Sequence, residues 1–190
     1  MIAVAIVLRM GRPILFRQQR IGQSGKVFWI IKFRTLIPNA EEIGGGNIPA
    51  GLNLVPPLGE KLRLYSLDEL PQLVNIVRGD MSFVGPRPAL PEHYARYSPH
   101  QVQRVLVPQG LTGLAQVVYR AEAPWSLRIE KDLEYVRNVS PLLDLRILIA
   151  TAFKVLRAEG VVESLAPEAN DDFGTDDSGG TDRASTHQTG

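Results

Sequence analysis

Two adjacent carboxylates, Asp68 and Glu69, mark the segment of the chain in which residues capable of chemistry are densest. Ser66 and Glu69 have the spacing of a capping box, and Asp68 is a second candidate cap, so a helix is predicted to begin here. The positive end of a helix dipole favours the charged form of a carboxylate. An ionised Asp68 can act as a nucleophile or as a magnesium ligand; the simpler alternative is that both residues only cap the helix.

Arginines close to this pair in sequence indicate an anionic ligand. Arg63 precedes the pair, Arg78 ends the predicted helix, and Arg87 lies between two prolines that restrict its backbone. A guanidinium group binds phosphate oxygens in a bidentate manner. A carboxylate nucleophile, a metal ion and arginine donors are together the groups that phosphoryl transfer requires.

The absence of cysteine narrows the other chemistries. It excludes a disulfide framework, a thiolate metal site and a cysteine nucleophile. The three histidines, His93, His100 and His187, include no pair at the i, i+4 spacing, so a zinc site is not expected. The metal that suits this sequence is a hard ion held by oxygen, such as magnesium.

The near-neutral net charge hides an asymmetry. Residues 1–40 contain seven basic residues and no acidic one, whereas residues 159–190 contain eight acidic residues and one arginine. The basic part suits a nucleotide, a phosphorylated lipid, a membrane surface or nucleic acid, although a solvated basic face is an equal alternative. Nucleic acid is not expected, because the basic residues are not interleaved with aromatic stacking residues. The composition of residues 161–190 predicts a disordered acidic tail.

The elements that must position these residues form one domain of about 150 residues. The predicted fold class is α+β, mostly helical with a small β-hairpin or sheet, because no β-α alternation runs through the chain. The predicted elements are a hairpin over 13–36, a loop or lid over 37–57, a GPRP loop over 85–88, helices over 91–106, 126–137 and 140–160, and a glycine-rich turn over 108–115.

Two apolar stretches are relevant to membranes. In the stretch over 140–160, Ser140 is a suitable N-cap, Pro141 suits the first helical position and Gly160 suits the end. Its charged residues make this helix too polar to span, which leaves a membrane-interface helix or a core helix. The opening MIAVAIVL is predicted to be the end of a longer apolar helix, with a buried strand as the alternative. One apolar stripe of the second helix consists of Leu142, Leu145, Ile149, Phe153 and Leu156.

Four strings, in this order, resemble the bacterial sugar transferase family, the monotopic phosphoglycosyl transferases. They are GRPILFRQQRIGQSGKVFWIIKFRTL (11–36), SLDELPQLVNIVRGDMSFVGPRP (66–88), GLTGLAQV (110–117) and DLEYVRNVSPLLDLRILIATAFKVLR (132–157). The resemblance implies a membrane-interface (monotopic) catalytic domain over residues 13–160. It also implies that residues 1–12 are the remnant of an amino-terminal membrane helix.

The family resemblance implies an enzyme on the cytoplasmic face of the bacterial inner membrane. Such an enzyme transfers a sugar phosphate from a UDP-sugar to polyprenol (undecaprenyl) phosphate and releases UMP, through a covalent Asp-phosphosugar intermediate. This step initiates surface polysaccharide or glycan synthesis, and downstream glycosyltransferases are expected partners. The alternative is a non-catalytic relative that binds a membrane or a partner enzyme.

The same resemblance assigns roles residue by residue. Asp68 is the implied nucleophile, and Glu69 is implied to bind Mg²⁺ or to assist the acceptor phosphate. Asp68 and Glu69 together are the expected metal ligands. The residues expected to bind the diphosphate, in one anionic cleft, are Arg63, Arg87, Lys32, Arg34 and Arg120.

Overall fold

The computed structural model describes residues 1–38, 40, 54–119 and 123–157, which form an α+β fold as predicted. The α-helices are Ile2–Met10, Pro57–Leu64, Leu73–Val77, Pro91–Tyr94, Leu114–Val118, Trp125–Arg137 and Pro141–Leu156. The 3₁₀ helices are Gln23–Gly25, Leu67–Gln72 and Gln101–Val105, and the strands are β1 (Leu15–Ile21), β2 (Val27–Phe33), β3 (Ser82–Val84) and β4 (Gly110–Thr112). Most of the loop predicted for 37–57 and all of the tail 161–190 lie outside the described residues.

The predicted hairpin is confirmed. Strands β1 and β2 pair antiparallel, and they are joined through a tight turn in which Ser24 and Gly25 adopt positive φ. The edge of β2 is held by the fully buried Asn75, whose side-chain amide accepts from the backbone N–H of Ile31 at 3.2 Å and donates to the carbonyl of Trp29 at 2.8 Å. Asn75 therefore provides hydrogen-bond partners for the edge of β2, as the backbone of a neighbouring strand would.

The segment that begins at Ser66 departs from the predicted capping box. Ser66 adopts a left-handed conformation (φ 52°), and its side chain makes no capping hydrogen bond. A 3₁₀ helix, Leu67–Gln72, follows and contains Pro71, which has no N–H to donate to an α-helical ladder. Asp68 and Glu69 still lie in the first turn, as predicted.

A parallel pair of short strands replaces the predicted glycine-rich turn. Strand β3 pairs with β4, with Ser82 opposite Gly110 and Val84 opposite Thr112. A Cβ placed on Gly85 would lie 2.9 Å from the backbone nitrogen of Gly110, so the two segments are in backbone-to-backbone contact. The helix predicted over 91–106 is likewise broken into a short α-helix and a 3₁₀ helix.

The two carboxyl-terminal helices are confirmed, and the cap of the last one is as predicted. Ser140 Oγ accepts from the backbone N–H of Leu143, and Pro141 occupies the first turn. Ile147 is buried against Val84 and Tyr135. The predicted end at Gly160 lies outside the described residues. The stripe named above faces outward and is 49–79% exposed, and it consists of Leu142, Leu145, Ile149, Phe153 and Leu156.

The amino-terminal segment is a helix, Ile2–Met10, and not a buried strand. Ile6 is fully buried, whereas Val4 and Leu8 are exposed. Across the described ranges, no helix combines the length and the apolar character that crossing a membrane requires.

Candidate active site

Asp68 and Glu69 lie where the 3₁₀ helix Leu67–Gln72 packs against β2. This packing brings Lys32, near the end of β2, to Glu69, with 2.7 Å between Lys32 Nζ and Glu69 Oε1. The same oxygen accepts from Arg87, whose terminal guanidinium nitrogen lies 3.3 Å away. Glu69 therefore joins two cations that are 55 residues apart in the chain.

Asp68 is 8% exposed, and burial raises the pKa of its carboxyl group. Lys32 opposes this effect and favours the carboxylate, the negative charge of Glu69 raises the pKa further, and Arg63 and Arg87 lower it. Burial thus makes the Asp68 carboxylate more basic, and the three cations around it suit the binding of phosphate groups. A carboxylate in such surroundings is chemically able to act as a nucleophile.

Arg63 reaches the site because the helix Pro57–Leu64 lies directly against Thr35. Gly59 permits this contact, since a Cβ there would lie 3.0 Å from the carbonyl carbon of Thr35 and closer still to its oxygen. One turn further on, Arg63 Nε donates to Thr35 Oγ1 at 2.7 Å. The helix thus delivers a cation to Asp68 and fixes part of its guanidinium.

The Arg34 guanidinium is bound by backbone carbonyls, and the diphosphate contact that the resemblance implies for it stays a prediction. Its guanidinium donates to the carbonyls of Pro13 at 2.7 Å, Leu36 at 3.1 Å and Gly11 at 2.8 Å, and also to that of Met10. Arg34 is 6% exposed and ties the end of the first helix to the hairpin. Its charge is therefore bound by backbone carbonyls, whereas Lys32, two residues earlier, contacts a carboxylate of the site.

The remaining arginines divide into two cases. Arg120 lies outside the described residues. Arg78 is exposed at the carboxyl end of the helix Leu73–Val77. The structure therefore brings Lys32, Arg63 and Arg87 together around Asp68 and Glu69, while their proposed contacts with substrate stay predictions.

The donor set of this site fits a magnesium ion. In the part of the chain that the structure describes, no three His, Cys, Asp or Glu side chains form a metal-binding group. Magnesium, however, is commonly held by one or two carboxylates together with substrate phosphates and water. The neighbouring carboxylates of Asp68 and Glu69 supply that smaller set, because the substrate itself would complete it.

A buried charged network beside the site was missed from the sequence. Arg104 and Asp132 form an ion pair with 2.5 Å between Arg104 Nη2 and Asp132 Oδ2, and each side chain is only 3% exposed. Arg104 also donates to the hydroxyl of Tyr97 and to the carbonyl of Arg87. The two charged residues are 28 positions apart, so no local spacing indicates the pair.

Comparison with known proteins shows the family to which this chain belongs. The family model for bacterial sugar transferase matches residues 1–158. The chain belongs to this family and is a transferase.

Individual relatives agree with this family. An uncharacterized sugar transferase, EpsL of Bacillus subtilis, is 41% identical over 162 residues, which cover 85% of this chain and 79% of EpsL. A UDP-glucose:undecaprenyl-phosphate glucose-1-phosphate transferase of Xanthomonas campestris is 39% identical, over 82% of this chain and 34% of the relative. An undecaprenyl-phosphate galactose phosphotransferase of Salmonella typhimurium is 36% identical, over 81% and 36%. The chain thus spans about a third of the last two relatives.

Proposed function

We propose that this chain transfers a sugar phosphate from a UDP-sugar to polyprenol phosphate and releases UMP. The observation that carries the proposal is the buried Asp68 carboxylate with Lys32, Arg63 and Arg87 around it. The names of the relatives support both substrates, since they specify UDP-sugar donors and undecaprenyl-phosphate acceptors. Such a product begins a surface glycan, so glycosyltransferases that extend it are the proposed partners.

In the first step, a carboxylate oxygen of Asp68 attacks the β-phosphorus of the UDP-sugar. The bond between that phosphorus and the bridging oxygen breaks, and UMP leaves with the electron pair. Lys32, Arg63 and Arg87 stabilise the charge that develops on the phosphate oxygens. The enzyme then carries a phosphosugar on Asp68.

In the second step, a phosphate oxygen of the polyprenol phosphate attacks the same phosphorus. The bond to Asp68 breaks, which restores the carboxylate and yields polyprenyl diphosphate sugar. Glu69 lies beside both cations that this acceptor phosphate would meet, and we assign it to positioning that phosphate or to binding magnesium. Dividing the transfer into two displacements is the advantage of a covalent nucleophile.

Asp68 and Glu69 would hold magnesium, which when bound neutralises diphosphate charge. The test is UMP release in the presence of a chelator, followed by readdition of Mg²⁺ or Ca²⁺. Loss of activity that Mg²⁺ alone restores supports the assignment. Full activity after chelation contradicts it.

We further propose that the protein works at the cytoplasmic face of the bacterial inner membrane. The exposed stripe on the helix Pro141–Leu156 supports this location, as does the basic amino-terminal part of the chain. Flotation with anionic lipid vesicles tests it. Leu145→Glu combined with Phe153→Glu is expected to release the protein from the vesicles, whereas Leu106→Glu, at an exposed leucine outside this helix, is not. Equal release by both variants contradicts the assignment of this face.

The catalytic proposal is tested by UMP release from a panel of UDP-sugars, with and without polyprenol phosphate. Asp68→Asn is expected to abolish release, because the amide is not a nucleophile. Glu130→Gln is the matched control, since Glu130 is an exposed carboxylate that pairs with His100. Lipid binding without UMP release from any donor would instead favour a non-catalytic relative.

A further inference from the structure

The loop that carries Arg87 is held at four consecutive carbonyls. Each of them accepts a hydrogen bond from a residue distant in sequence. The pairs are Pro86 with the N–H of Gly110 at 2.9 Å, Arg87 with Arg104 at 3.1 Å, Pro88 with Arg20 at 3.1 Å, and Ala89 with the N–H of Ile21 at 2.9 Å.

Two of these bonds determine the backbone conformation of Arg87 itself. The Pro86 carbonyl lies in the peptide plane before Arg87, and the Arg87 carbonyl lies in the plane after it. Fixing both planes fixes φ and ψ of Arg87, and Pro88 narrows the choice further. The direction in which the Arg87 side chain leaves the loop is therefore set by Gly110 on one side and by Arg104 on the other.

Arg104 differs from Gly110 because it is a buried charge. Its guanidinium donates to the Arg87 carbonyl and to Asp132, and it is 2% exposed. The side chain of Gln109 holds the Arg104 backbone in turn, through a hydrogen bond of 2.9 Å to its carbonyl. A buried ion pair commonly stabilises a fold no better than well-packed apolar residues do. Unlike apolar residues, however, Arg104 donates a hydrogen bond to the Arg87 carbonyl and so restrains the backbone of Arg87.

We infer that Arg104, neutralised by Asp132, is a positioning residue that aims the Arg87 guanidinium at Glu69 and at the phosphate group of the substrate. This inference rests on the proposed function for the identity of that substrate. The orientation of Arg87 is a property of the folded protein, and it is measurable without any turnover.

The first test is a double-substitution cycle on the kcat/KM for the UDP-sugar. Arg104→Lys keeps a charge for Asp132 but loses the planar fork, and a displacement of Arg87 by about 1 Å can lower kcat/KM by up to about 10²-fold. Because Arg104 acts through Arg87, adding Arg104→Lys to Arg87→Gln is expected to cause no further loss. Losses that multiply in the double variant would overturn the inference.

Two further variants serve as controls that separate an effect on Arg87 from a general loss of stability. Ile147→Ala weakens the core without removing a partner of the 86–89 carbonyls, so it is expected to lower the melting temperature and leave kcat/KM unchanged. Should Arg104→Lys fail to fold, Arg104→Met with Asp132→Asn leaves no unpaired buried charge and serves in its place. Any loss of kcat/KM by Ile147→Ala equal to that of Arg104→Lys would show that stability alone explains the effect.

The second test needs no substrate. Arginine Nε–H signals are recorded by NMR, and the Arg87 signal is identified by its absence in Arg87→Gln. Arg104→Lys is expected to shift this signal and lower its order, while the Ile147→Ala spectrum keeps it in place. An unchanged Arg87 signal in Arg104→Lys overturns the inference. Absence of UMP release by the wild-type protein would contradict the proposed function alone.

Discussion

Replacing Gly59 with alanine tests how Arg63 is delivered to the site. The added methyl would lie 3.0 Å from the carbonyl carbon and 3.2 Å from the Cα of Thr35, and nearer still to the carbonyl oxygen. Ordinary carbon contacts are about 3.5–4.0 Å, so the helix Pro57–Leu64 must move away by about 1 Å. Arg63 lies on that helix and bonds to Thr35, so the cation moves with it.

The expected magnitude follows from two opposing effects. In an unobstructed helix, Gly→Ala stabilises by about 1 kcal/mol, whereas overpacking costs about 1–3 kcal/mol. We therefore expect Gly59→Ala to unfold more readily than wild type. A displacement of about 1 Å in a phosphate-binding cation is expected to lower kcat/KM by up to about 10²-fold.

The assays are urea denaturation and UMP release, with Gly79→Ala as the control. Gly79 has φ +78°, and a methyl group added there would meet no atom within 4 Å, so its substitution costs stability through backbone strain alone. Gly79→Ala should lose about 1–2 kcal/mol and keep its kcat/KM. A Gly59→Ala protein that is as stable and as active as wild type would refute the proposed contact with Thr35.

Other predictions concern charge and polar burial. Because burial raises the pKa of Asp68, ionisation of this carboxyl group destabilises the folded protein. Asp68→Asn should therefore have a higher melting temperature than wild type at pH 7.5. Thermal unfolding at several pH values checks this, and the difference should vanish below the ordinary aspartate pKa. Arg34→Leu should reduce the free energy of unfolding by about 2–4 kcal/mol, because charged hydrogen bonds to backbone carbonyls are lost. Lys32→Leu should chiefly raise the KM for the UDP-sugar. Equal effects of the two variants on KM would contradict the separate roles of Arg34 and Lys32. Asn75→Leu should cost about 2–4 kcal/mol in denaturation experiments by leaving the β2 edge unsatisfied, and a loss below about 0.5 kcal/mol would contradict its bridging role.

Much of the fold follows from local signals in the sequence. The hairpin has its turn residues between two β-rich runs, and the last helix has Ser140 and Pro141 at its start. Both are set by neighbours in sequence, so both could be predicted. The exposed direction of the apolar stripe could not be predicted, because a core helix and an interface helix share the same pattern.

The remaining errors come from contacts between distant residues. Strands β3 and β4 have three residues each, too few for a period to appear, and their pairing depends on glycines that meet backbone to backbone. Ser66 is a separate, local case: it has the right type and spacing for a cap, but its backbone adopts positive φ and its side chain makes no capping hydrogen bond.

The candidate site shows the same limit. The resemblance placed Asp68, Glu69, Arg63, Arg87 and Lys32 in one cleft, and the structure brings these residues together. Arg34, two residues after Lys32, was assigned to the same cleft, yet its guanidinium is bound by backbone carbonyls. The partner of a buried arginine depends on tertiary packing, which residue type alone does not determine.

The most direct test of the account is the mass of the intact protein after incubation with a UDP-sugar and Mg²⁺ in the absence of polyprenol phosphate. We predict one sugar-phosphate adduct per chain, mapped by peptide analysis to Asp68, with one UMP released for each adduct. Adding polyprenol phosphate should remove the adduct, and Asp68→Asn should never acquire it. UMP release that continues at the wild-type rate in Asp68→Asn, or an adduct on another residue, would contradict the assignment of Asp68 as the nucleophile.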